Sequence, residues 1–196
     1  MLLKALGARF GTGGTTSAGA AVVSQFLAGL HLAPVIADGS GLSRADLTTP
    51  LEVVTLLRDL SPGGVASLQA IGATLASSLP VAAESGTLIT RLHHSAAAGH
   101  CVAKTGTLSD ASDLAGWCDG SLIFAFLMNH VDIAAAQKAQ DAMAIVLAKL
   151  PGAAVSVGAQ SGPDSSRAKS PASSSTATPS RSAFSSFEPG LSPATR

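Results

Sequence analysis

The chain has 196 residues, balances 12 basic against 12 acidic side chains, and is 46% hydrophobic. Charge is sparse, no basic run occurs and aromatics are few, which excludes an electrostatic binder of nucleic acid or of an anionic membrane. No apolar run reaches the length of a membrane span, and two cysteines are too few for a disulfide-built scaffold.

Taken in chain order, Met1–Ala8 and Thr16–Leu32 are predicted helical, the second with Ala20, Val23, Phe26, Leu27 and Leu30 along one stripe. Lys4 and Arg9 precede the softly apolar stretch from Ala18 to Ala37, but Gly11–Gly14 intervenes and polar residues recur at helical intervals. The pattern is that of an amphipathic helix and not of a signal peptide. The Gly11–Thr16 run lacks the lysine that a phosphate-binding loop requires, so it reads as a connection between helices. Pro34–Ala37 is a short strand candidate leading into the turn residues Asp38-Gly39-Ser40-Gly41. Thr49-Pro50 opens a helix through Leu60, with proline suited to the first turn, and Ser61-Pro62-Gly63-Gly64 ends it. Val65–Leu75 is a further short helix.

Three strands are predicted over His100–Thr105, Leu114–Cys118 and Leu122–Asn129. The last is almost continuously apolar, as expected of a central strand covered on both faces. Asp132 is placed to cap a final helix reaching Leu150, with Ile133, Ala136, Met143, Val146 and Leu150 inward. The fold class expected is α/β: an antiparallel sheet packed between helical layers over residues 1–150. Beyond Leu150-Pro151 the composition changes. These 46 residues hold 13 serines and 6 prolines, too little apolar surface to offset ordering, so 151–196 are expected to form a disordered tail.

If Ser109-Asp110 is a two-residue hairpin turn, Cys101 and Cys118 lie directly opposite each other across it. Either a cross-strand disulfide or two buried free thiols fits that position. His93, His94, His100 and Cys101 are metal-ligand types, but neighbours on a strand point to opposite faces, so a structural or surface role is expected and no metal. A triad assembled from Ser40 and these histidines has no spacing to support it. No cofactor motif is present.

The chemistry-bearing stretch is Ala103-Lys104-Thr105-Gly106-Thr107-Leu108. A strand lysine among small residues can present its ammonium to an anion, Thr105 adds a hydroxyl donor, and Gly106 lets a ligand approach the backbone. The Thr107 N–H can act as an oxyanion donor if that edge is free. An exposed strand lysine before a hairpin turn has the same three-residue signature.

Around it, in order, stand Asp38-Gly39-Ser40-Gly41-Leu42-Ser43-Arg44, Leu79-Pro80-Val81-Ala82, Ser85-Gly86-Thr87-Leu88 with Arg91, and Leu114-Ala115-Gly116-Trp117. Together these residues resemble the C-terminal half of the penicillin-binding-protein-4-type (DacB-like) D-alanyl-D-alanine carboxypeptidases, peptidase family S13, over roughly residues 1–150. The resemblance implies a β-lactamase/transpeptidase-like fold and a serine-type hydrolase of peptidoglycan stem peptides, open to β-lactams. It implies that Lys104, Thr105, Gly106 and Thr107 bind substrate: Lys104 and Thr105 the terminal carboxylate, Gly106 by leaving room, Thr107 through its amide. It also implies a parent enzyme outside the cytoplasmic membrane.

Two motifs of that family are missing. Its Ser-x-x-Lys nucleophile has one match, Ser166-Arg167-Ala168-Lys169, in the expected tail and after Lys-Thr-Gly. Asn129 is the sole asparagine and is not preceded by the serine of Ser-x-Asn. The expectation is a chain that begins just after the second motif, at an internal or late methionine, with no catalytic nucleophile. The alternatives are a silent binding remnant of that lineage and a fragment of a serine β-lactamase.

Overall fold

The computed structural model describes residues 1–150; the expected disorder of 151–196 and the Ser166–Lys169 match lie outside it. Helix α1 (Leu2–Phe10) and helix α2 (Thr16–Ala28) form a hairpin whose connection is the glycine run. Thr15 caps α2 by accepting the Ala18 N–H at 3.1 Å. Helix α2 ends four residues earlier than the expected Leu32, where His31 turns left-handed (φ 59°). Its inner stripe is Ala18, Ala20 and Leu27, while Phe26 faces out, 54% exposed. The Pro34–Ala37 strand reduces to one bridge, Val35 to Leu47.

Helix α3 (Pro50–Leu60) starts with a capping box: Thr49 accepts the Glu52 N–H at 3.2 Å and Glu52 accepts the Thr49 N–H at 2.9 Å. A short 3-10 turn, Ala66–Leu68, precedes helix α4 (Gln69–Ser78), so the expected Val65–Leu75 helix begins four residues later and ends three residues later. Strands β1 (Cys101–Thr107), β2 (Ala111–Cys118) and β3 (Leu122–Asn129) pair antiparallel in the order β1-β2-β3. Helix α5 (Ile133–Leu147) is capped by Asp132, which accepts the Ala135 N–H at 2.8 Å.

The expected position of β3 is corrected. Among the described residues, consecutive hairpins place β2 in the middle and β3 at an edge. Strand β3 is apolar from Leu122 to Met128 because helices pack on both sides of it, α3 against one face and α5 against the other. The inner face of α5 also differs from expectation. Ala136, Gln140 and Ala144 are buried, whereas Val146 is 60% exposed. A glutamine takes the centre of that face because every polar atom of its amide finds a partner there.

One face of the sheet, with Cys101, Ala103, Leu114, Cys118 and Phe124, joins Leu88, Ala97 and Ala144 in the core. Leu88 and Leu114 are fully buried, each contributing about 1.5–3 kcal/mol by leaving water. On the other face, Trp117 donates its indole N–H to Ser61 Oγ at 2.8 Å, just beyond α3.

The Ser109-Asp110 turn has the expected two-residue register, with Cys101 opposite Cys118 and Thr107 opposite Ser112. Of the two arrangements open to the cysteines, the structure shows the bridge: Cys101 and Cys118 are disulfide-bonded, their Cα atoms 4.1 Å apart. With 17 residues of separation, closing this loop is expected to stabilise the fold by about 3 kcal/mol. Urea unfolding with and without reductant measures it; equal midpoints would show that the bridge contributes nothing. His100 lies one residue away and pairs with Asp119 at 2.9 Å. Among the described residues no group of three His, Cys, Asp or Glu side chains is arranged to hold a metal.

Candidate functional site

The candidate site is built on the outer edge of β1. In this hairpin the Leu108 N–H bonds to the Ala111 carbonyl at 2.9 Å. Hydrogen-bonded pairs therefore recur at every second residue, at 106–113, 104–115 and 102–117. The backbone groups of Cys101, Ala103, Thr105 and Thr107 point the other way, to the edge. Pro80–Ala82 occupies the first half of that edge: Ala103 donates to the Pro80 carbonyl at 3.0 Å and Ala82 donates to the Cys101 carbonyl at 2.9 Å. From Thr105 onward no strand pairs with the edge among the described residues. The N–H groups of Thr105 and Thr107 thus face a vacant strand position that ends at Pro80.

Lys104 is exposed and its ammonium donates to the Thr105 carbonyl at 2.6 Å. It pairs with no carboxylate among the described residues. As adjacent strand residues, Lys104 and Thr105 send their side chains to opposite faces of β1, with the free backbone edge between them. Thr105 Oγ1 lies 2.9 Å from Thr87 Oγ1. Gly106 faces Asp113 in the register, and a Cβ at position 106 would stand 3.1 Å from Asp113 Oδ2. The missing side chain therefore leaves room for that carboxylate. Burial pushes the Asp113 carboxyl above the usual aspartate range, although it accepts the Met128 N–H at 3.1 Å, which acts the other way.

The Asp38–Arg44 segment reaches the same end of the sheet. Its turn is held by Asp38, which accepts the Ser40 N–H at 2.7 Å, and by Asp46, which accepts the Ala37 N–H at 2.6 Å. Ser40 Oγ accepts the Leu42 N–H at 3.0 Å, a turn contact. Arg44 then bonds Asp110 and Ser109 in the β1–β2 turn, holding the Asp110 carboxyl below its ordinary range. A cavity of about 730 Å³ between this segment and the sheet is lined by Arg44, Asp46, Leu108, Asp113, Asn129 and His130, among others.

Behind the strand lies a network that sequence periodicity did not indicate. Gln140 donates to the Ser112 carbonyl at 2.8 Å and to its hydroxyl at 3.2 Å. Arg91 donates through Nη2 to Gln140 Oε1 at 3.2 Å and to Asp141 at 2.6 Å. Ser112 is the register partner of Thr107, so helix α5 is fastened to the strand pair directly behind the free edge. A glutamine in a helical stripe and an arginine forty-nine residues away carry no local signal of meeting.

The profile of the D-Ala-D-Ala carboxypeptidase 3 (S13) family matches residues 1–150. A D-alanyl-D-alanine carboxypeptidase of Actinomadura sp. (strain R39) is 39% identical over 163 residues, covering 78% of this chain and 29% of that protein. Two crystal structures of penicillin-binding protein 4 from Haemophilus influenzae share the fold at 24% identity. The form complexed with a β-lactam has a TM-score of 0.56 over 66% of this chain and 31% of that one. The second has a TM-score of 0.51 over 60% and 26%. The chain thus spans less than a third of the length of these relatives.

Proposed function

Because the chain belongs to the D-Ala-D-Ala carboxypeptidase 3 (S13) family, whose members are serine-type hydrolases, we propose that the free edge of β1 binds peptidoglycan stem peptides ending in D-Ala-D-Ala. The observation that carries this is the strand position left vacant beside Thr105 and Thr107 among the described residues, next to the Lys104 ammonium, which pairs with no carboxylate among them. An extended peptide entering antiparallel to β1 runs from Thr107 toward Lys104, the direction that the Pro80–Ala82 segment also follows. Its C-terminus then arrives at Lys104 and stops at Pro80. Lys104 supplies the positive field for the carboxylate and Thr105 a hydroxyl donor. Gly106 keeps the strand surface low, and the Thr107 N–H donates to the carbonyl of the penultimate residue, where oxyanion charge develops during acyl transfer. No metal or cofactor enters this reading.

The nucleophile belongs to Ser-x-x-Lys in this family, and in residues 1–150 that motif is absent. Residues 1–150 accordingly supply the recognition part of the site, and the nucleophile of the reaction lies outside them. A parent working outside the cytoplasmic membrane fits the Cys101–Cys118 bridge, which persists in oxidising compartments. Among the described residues no helix is long and apolar enough to cross a membrane.

The test is an NMR titration of the 196-residue chain with N-acetyl-D-Ala-D-Ala and with its C-terminal amide. The amide signals of Thr105 and Thr107 should shift with the acid and far less with the amide. Equal responses to both ligands, or none, would overturn the reading. Covalent labelling by a fluorescent penicillin that survives denaturation would overturn the assignment as a unit without a nucleophile.

A further inference from the structure

We propose that Thr87 is a positioning residue for the Thr105 hydroxyl, setting the direction in which Thr105 offers its proton to a ligand carboxylate; this rests on the carboxylate reading of β1. The two hydroxyl oxygens are 2.9 Å apart, so one must donate to the other. A hydroxyl carries a single proton, and an ionised carboxylate only accepts. If Thr105 gave its proton to Thr87, it would present only lone pairs to the anion. One arrangement serves an anion: Thr87 donates to Thr105, and Thr105 donates outward. A donor behind the hydroxyl also polarises it, strengthening the bond in front.

Thr87 is held in place by a constructed turn. It lies in the 3-10 turn Gly86–Leu88, anchored by the fully buried Leu88. The Ala83 N–H donates to the Leu88 carbonyl at 3.1 Å, and the Val81 N–H donates to Ser85 Oγ at 2.9 Å. Gly86 is left-handed (φ 53°), and a Cβ there would stand 2.9 Å from the Pro80 ring. Pro80 in turn accepts the Ala103 N–H of β1. The turn carrying Thr87 and the strand carrying Thr105 are therefore hydrogen-bonded into one unit.

The experiment measures the dissociation constant of N-acetyl-D-Ala-D-Ala on the whole chain for T87V, T87A, T87S, T105V and T87V/T105V. T87V and T87A should each weaken binding roughly three- to tenfold, and T87S should restore it to within about twofold. In the T105V background T87V should add nothing, and the C-terminal amide ligand should be insensitive to it. Thr87 is exposed, so thermal midpoints should not move. Wild-type affinity in T87V and T87A, or an equal loss in the T105V background, would overturn the role of Thr87 while leaving the carboxylate reading standing. A wild-type chain that fails to bind the acid would overturn both.

Discussion

Alanine at position 104 should weaken binding of N-acetyl-D-Ala-D-Ala roughly 10- to 100-fold while leaving the thermal unfolding midpoint unchanged. The two halves of this expectation have separate causes. The Lys104 side chain is exposed, has no carboxylate partner among the described residues and bonds only to the neighbouring Thr105 carbonyl, so its removal takes away no packing. A ligand carboxylate, in contrast, would meet an ammonium there, and a charge-assisted hydrogen bond of about 1.5–3 kcal/mol is the stake. The site is open to solvent, so binding should also weaken as salt rises from 0.01 M toward 1 M, as the Debye length shrinks from about 30 to 3 Å. Calorimetry or the NMR titration reads both effects. A loss below about threefold in K104A, or no salt dependence, would remove Lys104 from the carboxylate site.

Features governed by neighbouring residues were legible in the sequence, and those governed by distant ones were not. The two-residue turn at Ser109-Asp110 set a register that placed Cys101 against Cys118, because a hairpin's pairing follows from its loop length. The caps of α3 and α5 were readable for the same reason: proline in the first turn and an acid one residue before the helix act within a few positions. The edge position of β3 was not readable. Its apolar run reports coverage of both faces, and α3 and α5 supply that coverage with no strand on the far side among the described residues. At the site, residues 104–107 stood out through their motif, but the vacancy beside Thr105 depends on where Pro80–Ala82 stops. The contact of Thr87 with Thr105 spans eighteen residues and joins two ordinary threonines, a pairing that no local pattern announces. Arg44 and Asp110 meet across sixty-six residues, and only the resemblance had placed their segments in one context.

The second large effect expected is on stability: Arg91→Met should destabilise the described fold by about 2–4 kcal/mol. The Arg91 side chain is 11% exposed and Asp141 25% exposed, so both charges have left most of their water. Arg91 offsets this with two bonds to Asp141 Oδ1, at 3.0 and 2.6 Å, one to the Gln137 carbonyl at 3.2 Å and one to Gln140 Oε1 at 3.2 Å. Methionine fills a similar volume but leaves the Asp141 carboxylate without its cation and Gln140 Oε1 with only the long 3.5 Å contact from the Ser112 hydroxyl. The residual exposure of Asp141 places the cost at the lower side of the usual range for breaking a buried pair. Removing both charges as Arg91→Met/Asp141→Leu should recover more than half of the loss, since no desolvated charge then remains. Because Gln140 also holds Ser112, the register partner of Thr107, the single variant should loosen the strand end as well as helix α5. Faster amide hydrogen exchange at Ser112 and Asp113 would report this, beside a lower urea midpoint. A loss below about 1 kcal/mol, or a double variant no more stable than the single, would mean that the Arg91 network is surface decoration and not the fastening behind the free edge of β1.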